Sequence, residues 1–199
     1  FCSFAIFDTA CQKYLAFKNF WFETPVTGLS QTDHIRKILH GESYLARQYK
    51  SASFIYLTPV SVLVPSPLFR KEHPEEYFRY SAHLMPTDKI LFRKISAIDA
   101  YSVFPVPLAF FNQVRLMLPY VQFFHQSCPL ITEALSESAD FADKTRVLAN
   151  INYGFVDLMI VQSNQLLMSN SFKVRSTEDL IFFILYLYEQ FGLSQEECP

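Results

Sequence analysis

Three side chains that could serve as nucleophile or base lie close together in the chain: His125, Ser127 and Cys128. Such residues carry out acyl transfer when a nucleophile, a base and an orienting group meet in space. Closeness along the chain does not establish that geometry. We therefore favour a hydrogen-bonded loop histidine at the end of a strand, and we keep a hydrolase built on His125 or Cys128 as a third alternative.

The other cysteines and histidines lack the spacing of a metal site. The four cysteines, none of which forms a CxxC or CxH pair, are Cys2, Cys11, Cys128 and Cys198. This spacing argues against structural zinc, and so few thiols fit a reducing compartment. His34 and His40 are six positions apart on a predicted helix, whereas two ligands on one helix face are i and i+4. No metal site and no catalytic residue is expected.

Glycine, which phosphate-binding loops often need, is scarce in this chain. Only 4 glycines occur, where average usage gives about 14. Glycine matters in such loops because it lets backbone amides approach a phosphate closely. The glycine of Asn152-Tyr153-Gly154 has a simpler explanation, since a hairpin turn needs a residue that tolerates positive φ. Asn150 and Asn152 are likewise interpreted as turn or sheet-edge residues.

The charge balance excludes a nucleic-acid-binding surface. The chain has 17 Lys and Arg against 19 Asp and Glu, a formal net charge of −2. Binding to a phosphate backbone needs a field of basic residues, and none is present. Half of the residues are hydrophobic, which is ample for a globular core. Trp21 and its Phe neighbours are accordingly predicted to belong to the core and not to a base-stacking surface.

No segment has the length of a membrane-spanning helix. The longest apolar run, Leu180–Tyr188, has nine residues, whereas a span needs about 20. No signal peptide precedes the first predicted strand, and a cytoplasmic location is expected. Because the chain begins with Phe1 and not with Met, we expect an N-terminal piece to be missing.

Ten segments are predicted to be strands, because they are rich in β-branched and aromatic residues and are bounded by turn residues. They are Phe1–Phe7, Tyr14–Phe22, Ser53–Leu57, Val60–Val64, Lys89–Ile95, Ala100–Val106, Val121–His125, Arg146–Asn152, Phe155–Val161 and Leu166–Val174. The first two form a hairpin whose nearly continuous apolarity predicts burial on both faces.

Five segments are predicted to be helical from apolar spacing and from capping residues. They are Ser30–Tyr49, Pro67–His83 with a possible break at Pro74, Pro107–Leu118, Cys128–Ser136 and Ser176–Gly192. The first helix should bury Ile35, Ile38, Leu39 and Leu45. The last one is apolar almost all round, which predicts that it is sandwiched between layers.

The two ends of the chain repeat one order of elements. When Phe155 is aligned with Phe1, strand, polar turn, strand and capped helix follow in both copies. The repeated unit is βββα, and the mixture predicts an α/β fold of layered mixed sheets with flanking helices. We assign residues 1–139 to a first subdomain and 145–199 to a second, joined by a polar linker at 136–145.

A duplicated βββα unit with a polar turn between its first strands resembles the actin-like ATPase superfamily. That superfamily has a ribonuclease-H-like fold and includes the sugar kinases and the Hsp70 chaperones. The chain is also similar, over essentially its whole length, to a family of Bacteroidetes proteins of unknown function assigned this fold. The runs that carry the similarity are Phe54–Phe69, Asp99–Pro107, Phe124–Ser127, Asn152–Phe155, Asn170–Phe172 and Tyr188–Gly192.

The resemblance implies a position for a phosphate site. Active members carry an Asp-x-Gly turn that is followed by a small hydroxyl residue, and the Asp holds the metal. The matching turn is Asn152-Tyr153-Gly154, followed by Phe155, with Asp157 near the hydroxyl position. Asn cannot supply the anionic charge that Mg²⁺ favours, and a carboxylate at 157 would repel phosphate unless a cation intervened. We therefore expect a vestigial phosphate turn, no ATP or Mg²⁺ cofactor and no hydrolysis of ATP.

The resemblance also implies that the chain is incomplete at both ends. Residues 146–154 supply a strand and turn before Phe155, whereas nothing precedes Phe1 in the first copy. A further strand and helix would be expected after the last helix. The missing N-terminal loop would bear the first phosphate motif.

Two functions follow from the resemblance. The first is a degenerate, non-catalytic module, a bacterial pseudo-ATPase that binds a protein partner or serves as a scaffold through an edge strand or aromatic patch. The alternative is a nucleotide-binding ATPase or kinase of the same superfamily, which would use an acidic residue of the missing loop. Pilus-assembly and secretion proteins are the nearest analogues by fold. The missing carboxylates argue against a ribonuclease-H-type nuclease, which needs several to hold two metals.

Overall fold

The computed structural model describes residues 2–22, 28–137 and 145–194. These residues form ten strands and four α-helices, in two compact units. Each of the ten predicted strands overlaps an observed one. Most of the predicted linker at 136–145 lies outside the described residues, and so does Cys198. The division into subdomains at 1–139 and 145–199 stays a prediction.

The first compact unit combines Phe1–Ala52 with Pro107–Val121. Its secondary structure consists of the antiparallel pair β1 (Cys2–Asp8) and β2 (Lys13–Phe20) and of the helices α1 (Gly28–Gly41) and α2 (Leu108–Met117). The two helices pack against each other. Their buried side chains are Ile35, Ile38, Leu39, Phe110 and Val114. Three of the four residues of the predicted stripe are therefore buried, whereas Leu45 lies beyond the end of α1 and is only half-buried.

The predicted burial of the first hairpin on both faces is wrong. No residue of β1 or β2 is fully buried, and Trp21, predicted to lie in the core, is 78% exposed. Half-buried residues alternate with exposed ones along β1, so only one face of the hairpin is partly covered. Beside it, Lys18 pairs with Glu42, just after α1, and the Phe22 ring meets His34 of α1. A continuous apolar run is buried on both faces only where layers cover both, and the described helices of this unit cover one.

The second unit combines Ser53–Val106 with Gln122–Pro199, and its described residues form three sheets. One sheet joins β3 (Ala52–Tyr56) to β7 (Val121–His125), and a second has the order β4 (Val62–Pro65), β6 (Ala100–Pro107), β5 (Asp88–Ile95). The third has the order β10 (Gln165–Lys173), β9 (Phe155–Gln162), β8 (Thr145–Asn152) and is antiparallel throughout. The helices are α3 (Ser127–Glu137) and α4 (Thr177–Gln190).

Strand β9 forms the centre of the third sheet and is buried over Phe155–Val161. Side chains alternate between the two faces of a strand. Met159 and Val161 pack with the residues of α3, whereas Leu158 and Ile160 pack with Leu187 of α4. The central strand is therefore sandwiched between two helices, which explains why its sequence is apolar on both faces.

Two predictions of helix extent need correction. Helix α1 ends at Gly41 and does not continue to Tyr49. The helix predicted over 67–83 is replaced by two short 3₁₀ helices, Ser66–Leu68 and Pro74–Phe78. Pro74 cannot continue a helix that begins at Ser66, because it has no backbone N–H to donate and its ring crowds the preceding turn. Aromatic packing fixes the chain between the two turns, since the ring of Phe69 stacks on Tyr101 at 4.0 Å.

The last helix is present but is covered on one face only. Its predicted cap is confirmed, because the Ser176 hydroxyl accepts a hydrogen bond from the Asp179 amide at 3.3 Å. Leu187 is buried against the third sheet, whereas the opposite face of α4 is exposed. The expectation that α4 is sandwiched between two layers is therefore wrong.

Candidate functional site

The turn Asn152-Tyr153-Gly154 connects β8 to β9 as a tight hairpin. Asn152 pairs with Phe155, so that only Tyr153 and Gly154 form the loop. Gly154 has φ +81°, and a Cβ built on it would meet no heavy atom within 4 Å. The glycine is thus required by its backbone conformation and not by a close approach of other atoms. Its carbonyl accepts a hydrogen bond from the Val174 amide at 3.0 Å, which attaches the turn to the end of β10.

Asp157, three residues after the turn, is buried and fully engaged. Only 4% of its surface is exposed. Its Oδ2 accepts hydrogen bonds from the amide groups of Asn150 at 2.9 Å and Asn152 at 3.1 Å. Its Oδ1 accepts one from the Gln126 amide at 3.3 Å and a short one from the Ser171 hydroxyl. Four donors around two oxygens are what an ionised carboxylate needs when it is removed from water.

The fold explains why these partners meet. Asp157, Met159 and Val161 are alternate residues of β9, so their side chains lie on the same face, the one that α3 covers. Gln126 directly precedes α3, and the helix dipole favours negative charge at that end. Asn150 is the registered partner of Asp157 on β8, and Ser171 is its registered partner on β10. Three strands and one helix start therefore enclose a single carboxylate.

This arrangement makes the Asp157 carboxylate a poor metal ligand. A cation would have to displace the amide donors of Asn150 and Asn152, which carry no negative charge themselves. Among the described residues, no group of three or more His, Cys, Asp or Glu side chains is close enough to hold a metal. The geometry is that of a structural carboxylate that joins β8, β9 and β10.

Gln126 extends the polar cluster to the segment after β3. Its amide nitrogen donates to the Thr58 carbonyl at 2.7 Å, and its amide oxygen accepts from the Thr58 backbone N–H at 3.2 Å. The His125 ring also reaches this carbonyl, with 2.9 Å between Nε2 and the oxygen. The Thr58 carbonyl thus accepts two hydrogen bonds, which uses both of its lone pairs.

His125 is a buried neutral histidine. The Ser127 backbone N–H donates to Nδ1 at 3.1 Å, so Nδ1 carries no proton and Nε2–H donates to Thr58. The Ser127 hydroxyl lies 2.7 Å from Nδ1 and 3.3 Å from the Ser102 hydroxyl. Burial lowers the pKa of His125, while its contact with Thr58 and the charge of Asp157 act in the opposite direction. The expected hydrogen-bonded histidine is therefore observed.

The three residues that could form a hydrolase are not accessible to a substrate. His125 has no exposed surface, and Ser127 and Cys128 are buried. Burial raises the pKa of the Cys128 thiol, which disfavours the nucleophilic thiolate. His125 and Ser127 do make contact, yet both their polar groups are saturated by neighbours. The cluster resembles a stabilising polar core more than a nucleophile and its base.

A shallow cavity of about 230 Å³ lies beside the Asp157 cluster, between α3 and the third sheet. Its lining residues are mostly apolar: Leu130, Glu133, Ala134, Leu148, Ala149, Asn150 and Met159. The volume is below the range of about 300–1,000 Å³ that is usual for ligand sites. The amide nitrogen of Asn150, a polar group on this wall, already donates to Asp157. The cavity therefore offers few free polar groups for a nucleotide.

The sequence predicted a vestigial phosphate site at Asn152, Tyr153, Gly154 and Asp157, and these four residues lie on one hairpin. Tyr153 is 85% exposed and takes no part in the cluster. The role of Gln126 and Ser171 was missed, because they lie 31 and 14 positions from Asp157. The alternation of β9 predicts the face on which Asp157 lies, but only the tertiary structure shows its partners.

None of the helices in the described part of the chain has the length and apolarity that a membrane crossing requires.

Comparison with solved structures establishes the fold. A Bacteroides thetaiotaomicron protein of unknown function with an actin-like ATPase fold superposes with a TM-score of 0.86 and 21% identity. The match covers 97% of this chain and 74% of that chain. The chain therefore has the actin-like ATPase fold, and the predicted fold class is confirmed.

A second solved structure, the PilM-PilN type IV pilus biogenesis complex, has a TM-score of 0.49 and 12% identity. It covers 96% of this chain and 63% of that chain, and a similarity at this level carries no argument about function. No curated protein matches the sequence. A family model matches the whole of residues 1–199, and the chain therefore belongs to the family described as protein of unknown function, DUF3822.

Proposed function

We propose that this chain is a non-catalytic actin-like module, a pseudo-ATPase of the bacterial cytoplasm that acts by binding another protein. The observation that carries the proposal is that the Asp157 carboxylate is buried and fully hydrogen-bonded within the protein. The carboxylate that follows the vestigial turn is buried and accepts hydrogen bonds from four side chains of its own fold.

The chemistry of phosphate transfer supports the same conclusion. A Mg²⁺ ion prefers carboxylate oxygens together with phosphate and water. Asn152 offers a neutral amide, and its nitrogen is directed at Asp157. Gly154 serves the hairpin, and its carbonyl bonds to β10. The polar groups of the turn thus serve the stability of the third sheet, which supports the absence of a working phosphate site.

Exposed apolar surface supports a binding role. Monomeric proteins seldom expose large contiguous apolar patches unless these bind something. Two elements carry such side chains here. The first hairpin exposes Phe7, Tyr14, Leu15 and Phe17, and α4 exposes Ile181, Phe182, Leu185 and Tyr186. The balanced charge supports a protein partner over a nucleic acid.

The proposal is tested by adding ATP and Mg²⁺ to the purified protein. A ligand present at 100 times its Kd stabilises the folded state by about 2.7 kcal/mol, which raises Tm by about 5–10 °C for a chain of this size. We expect no rise and no phosphate release. The fold of the sample is checked by circular dichroism, and a known ATPase serves as a positive control.

The competing function, a nucleotide-binding ATPase or kinase, makes the opposite prediction. It requires a rise of several degrees with ATP and Mg²⁺ and hydrolysis that Gly154→Val abolishes. Gly41→Val is the matched control, because Gly41 lies at the end of α1 with no atom near its Cβ position. Hydrolysis lost only in Gly154→Val would overturn the non-catalytic proposal.

A further inference from the structure

The outward side of α4 is an apolar strip two turns long. Ile181, Phe182, Leu185 and Tyr186 follow the i, i+1, i+4, i+5 spacing that places residues on one helix face. Each is more than 40% exposed, whereas Leu187 on the opposite side is 3% exposed. We refer to these four side chains as the outer α4 face. They amount to a second apolar face on a helix that already packs on a sheet.

The outer α4 face has a fixed shape. Phe182 and Tyr186 stack at 6.1 Å, and Phe182 also meets the ring of Phe183 edge-on at 5.4 Å. Phe183 in turn stacks on Phe172 of β10 at 4.6 Å, which connects the outer rings to the sheet. Ile181–Leu185 and Phe182–Tyr186 are parallel i, i+4 ridges. Such ridges with the groove between them are the surface against which a second helix packs.

Acidic residues bracket this face at both ends. Glu178 lies one turn before the apolar strip and Glu189 one turn after it, and both are exposed. Helix α4 contains no Lys, Arg or His. A hydrogen bond with the Ser176 side chain lowers the pKa of Glu178, so this end is anionic at neutral pH. The partner surface that complements the strip is therefore apolar in its middle and basic at both ends.

The same charges disfavour a second copy of this chain as the occupant. In an antiparallel pair of α4 helices centred on the strip, Glu178 of each copy faces Glu189 of the other. In a parallel pair, each glutamate faces its own counterpart. Both arrangements bring like charges together at both ends of the contact. A partner helix with basic ends reverses the sign of all these interactions.

We propose that the outer α4 face docks an amphipathic helical segment of a partner protein, whose two-turn apolar stripe is bracketed by Lys or Arg. The two acidic residues are 11 positions apart on α4, so the basic residues of the partner are separated by about 16 Å along its axis. This mode is a helix packing into a groove through anchors at i, i+3, i+4 and i+7. The inference rests on the proposed protein-binding function and names its surface and the chemistry of its partner.

The test is a selection from a displayed library of 15-residue amphipathic helices. All members share one apolar stripe, and the positions before and after the stripe are randomised among Lys, Arg, Glu and Gln. The immobilised target is the whole chain. Leu185→Lys, in the centre of the face, is the disabling variant. Leu116→Lys, on α2, is the matched control, because Leu116 is also an exposed leucine on a helix.

We expect the selected helices to carry Lys or Arg at both ends. In fluorescence anisotropy, Leu185→Lys should weaken their Kd at least tenfold, and Leu116→Lys should change it less than twofold. Glu189→Lys should weaken binding at 50 mM salt and matter less at 500 mM, since exposed charges are screened. Circular dichroism and Tm verify the fold of each variant, and Leu185→Gln replaces Leu185→Lys if the latter is unfolded.

Three results would overturn the inference: no helix is enriched, the enriched ends are acidic or neutral, or Leu185→Lys leaves Kd unchanged. A wild-type dimer in sedimentation that Leu185→Lys converts to a monomer would identify a second copy as the occupant and would also overturn it. A Tm rise with ATP and Mg²⁺ overturns the proposed function whatever the peptides do. Failure of the selection without such a rise overturns only this surface.

Discussion

Replacement of Asp157 by Asn separates a structural carboxylate from a functional one. The substitution keeps the shape of the side chain and removes its charge. Two of its four donors, Asn150 and Asn152, present the NH₂ groups of their amides to Oδ2. The new amide oxygen must therefore take the place of Oδ2. The new NH₂ group then faces Gln126 and Ser171.

The loss of stability expected for Asp157→Asn follows from these contacts. The Ser171 hydroxyl can rotate and accept a hydrogen bond from the new NH₂ group, so this contact survives. Gln126 cannot accept one, because its amide oxygen already accepts from the Thr58 backbone N–H. One donor–donor contact replaces a hydrogen bond, at a cost of about 1–3 kcal/mol, and the surviving bonds to a neutral group are weaker by about 1 kcal/mol each. Easier burial of a neutral group offsets part of this loss. We expect Asp157→Asn to lower the free energy of unfolding by about 2 kcal/mol.

The assay is urea denaturation followed by circular dichroism. With an m-value of about 2 kcal/mol/M, the loss lowers the midpoint by about 1 M. Asp33→Asn is the control, because Asp33 is an exposed partner of Arg36 and such pairs contribute less than about 1 kcal/mol. In a double-mutant cycle with Ser171→Ala, the losses of unfolding free energy should not be additive, since the two residues are in contact. Residues kept for function often reduce stability, so an Asp157→Asn variant as stable as the wild type, or more stable, would refute the reasoning.

Three further predictions concern stability and reactivity. Burial holds the pKa of His125 below its ordinary value of about 6.5, so the unfolded state takes up a proton that the folded state does not. The free energy of unfolding should therefore fall as pH decreases from about 6.5 towards the folded pKa, and His125→Asn should remove this slope in urea titrations at several pH values. Gly154→Ala, at φ +81°, should cost about 1–2 kcal/mol in thermal unfolding. Gly41→Ala, at the last residue of α1, should be neutral or slightly stabilising, and equal losses in the two variants would contradict the hairpin interpretation. Exposed Cys11 should react with a thiol reagent at least tenfold faster than buried Cys128 in the native protein; equal rates would show that α3 opens freely.

The strands were predictable because their signals are local. β-branched and aromatic runs between Gly, Pro and Asn turns lie where the chain forms β1–β10. The helix predicted over 67–83 failed for a non-local reason. The Tyr77 hydroxyl bonds to the backbone of Leu68 and Arg70, and Phe78 is buried in a cluster with Val64 and Val103. These tertiary contacts hold the segment as separate 3₁₀ turns, and sequence spacing cannot show them.

Burial of apolar segments was less predictable than their secondary structure. The hairpin β1–β2 and the central strand β9 are both rich in apolar residues, but only β9 has a helix on each face. The difference lies in which layers the fold supplies, and composition does not report it. The same reason explains α4, whose sequence is apolar on two faces while the described structure covers one. An apolar segment predicts a contact but does not name the partner that makes it.

The cluster around Asp157 also explains why a single substitution would not create a nucleotide site. Asn152→Asp would restore the acidic residue that the family resemblance implies, but it would place a second carboxylate about 3 Å from Oδ2 of Asp157. Two such charges repel by about 5 kcal/mol at an effective dielectric constant of about 20. A cation that relieved this repulsion would still meet the amide of Asn150 on the same oxygen. The four donors and the carboxylate thus depend on one another, and an active site would require several of them to change together.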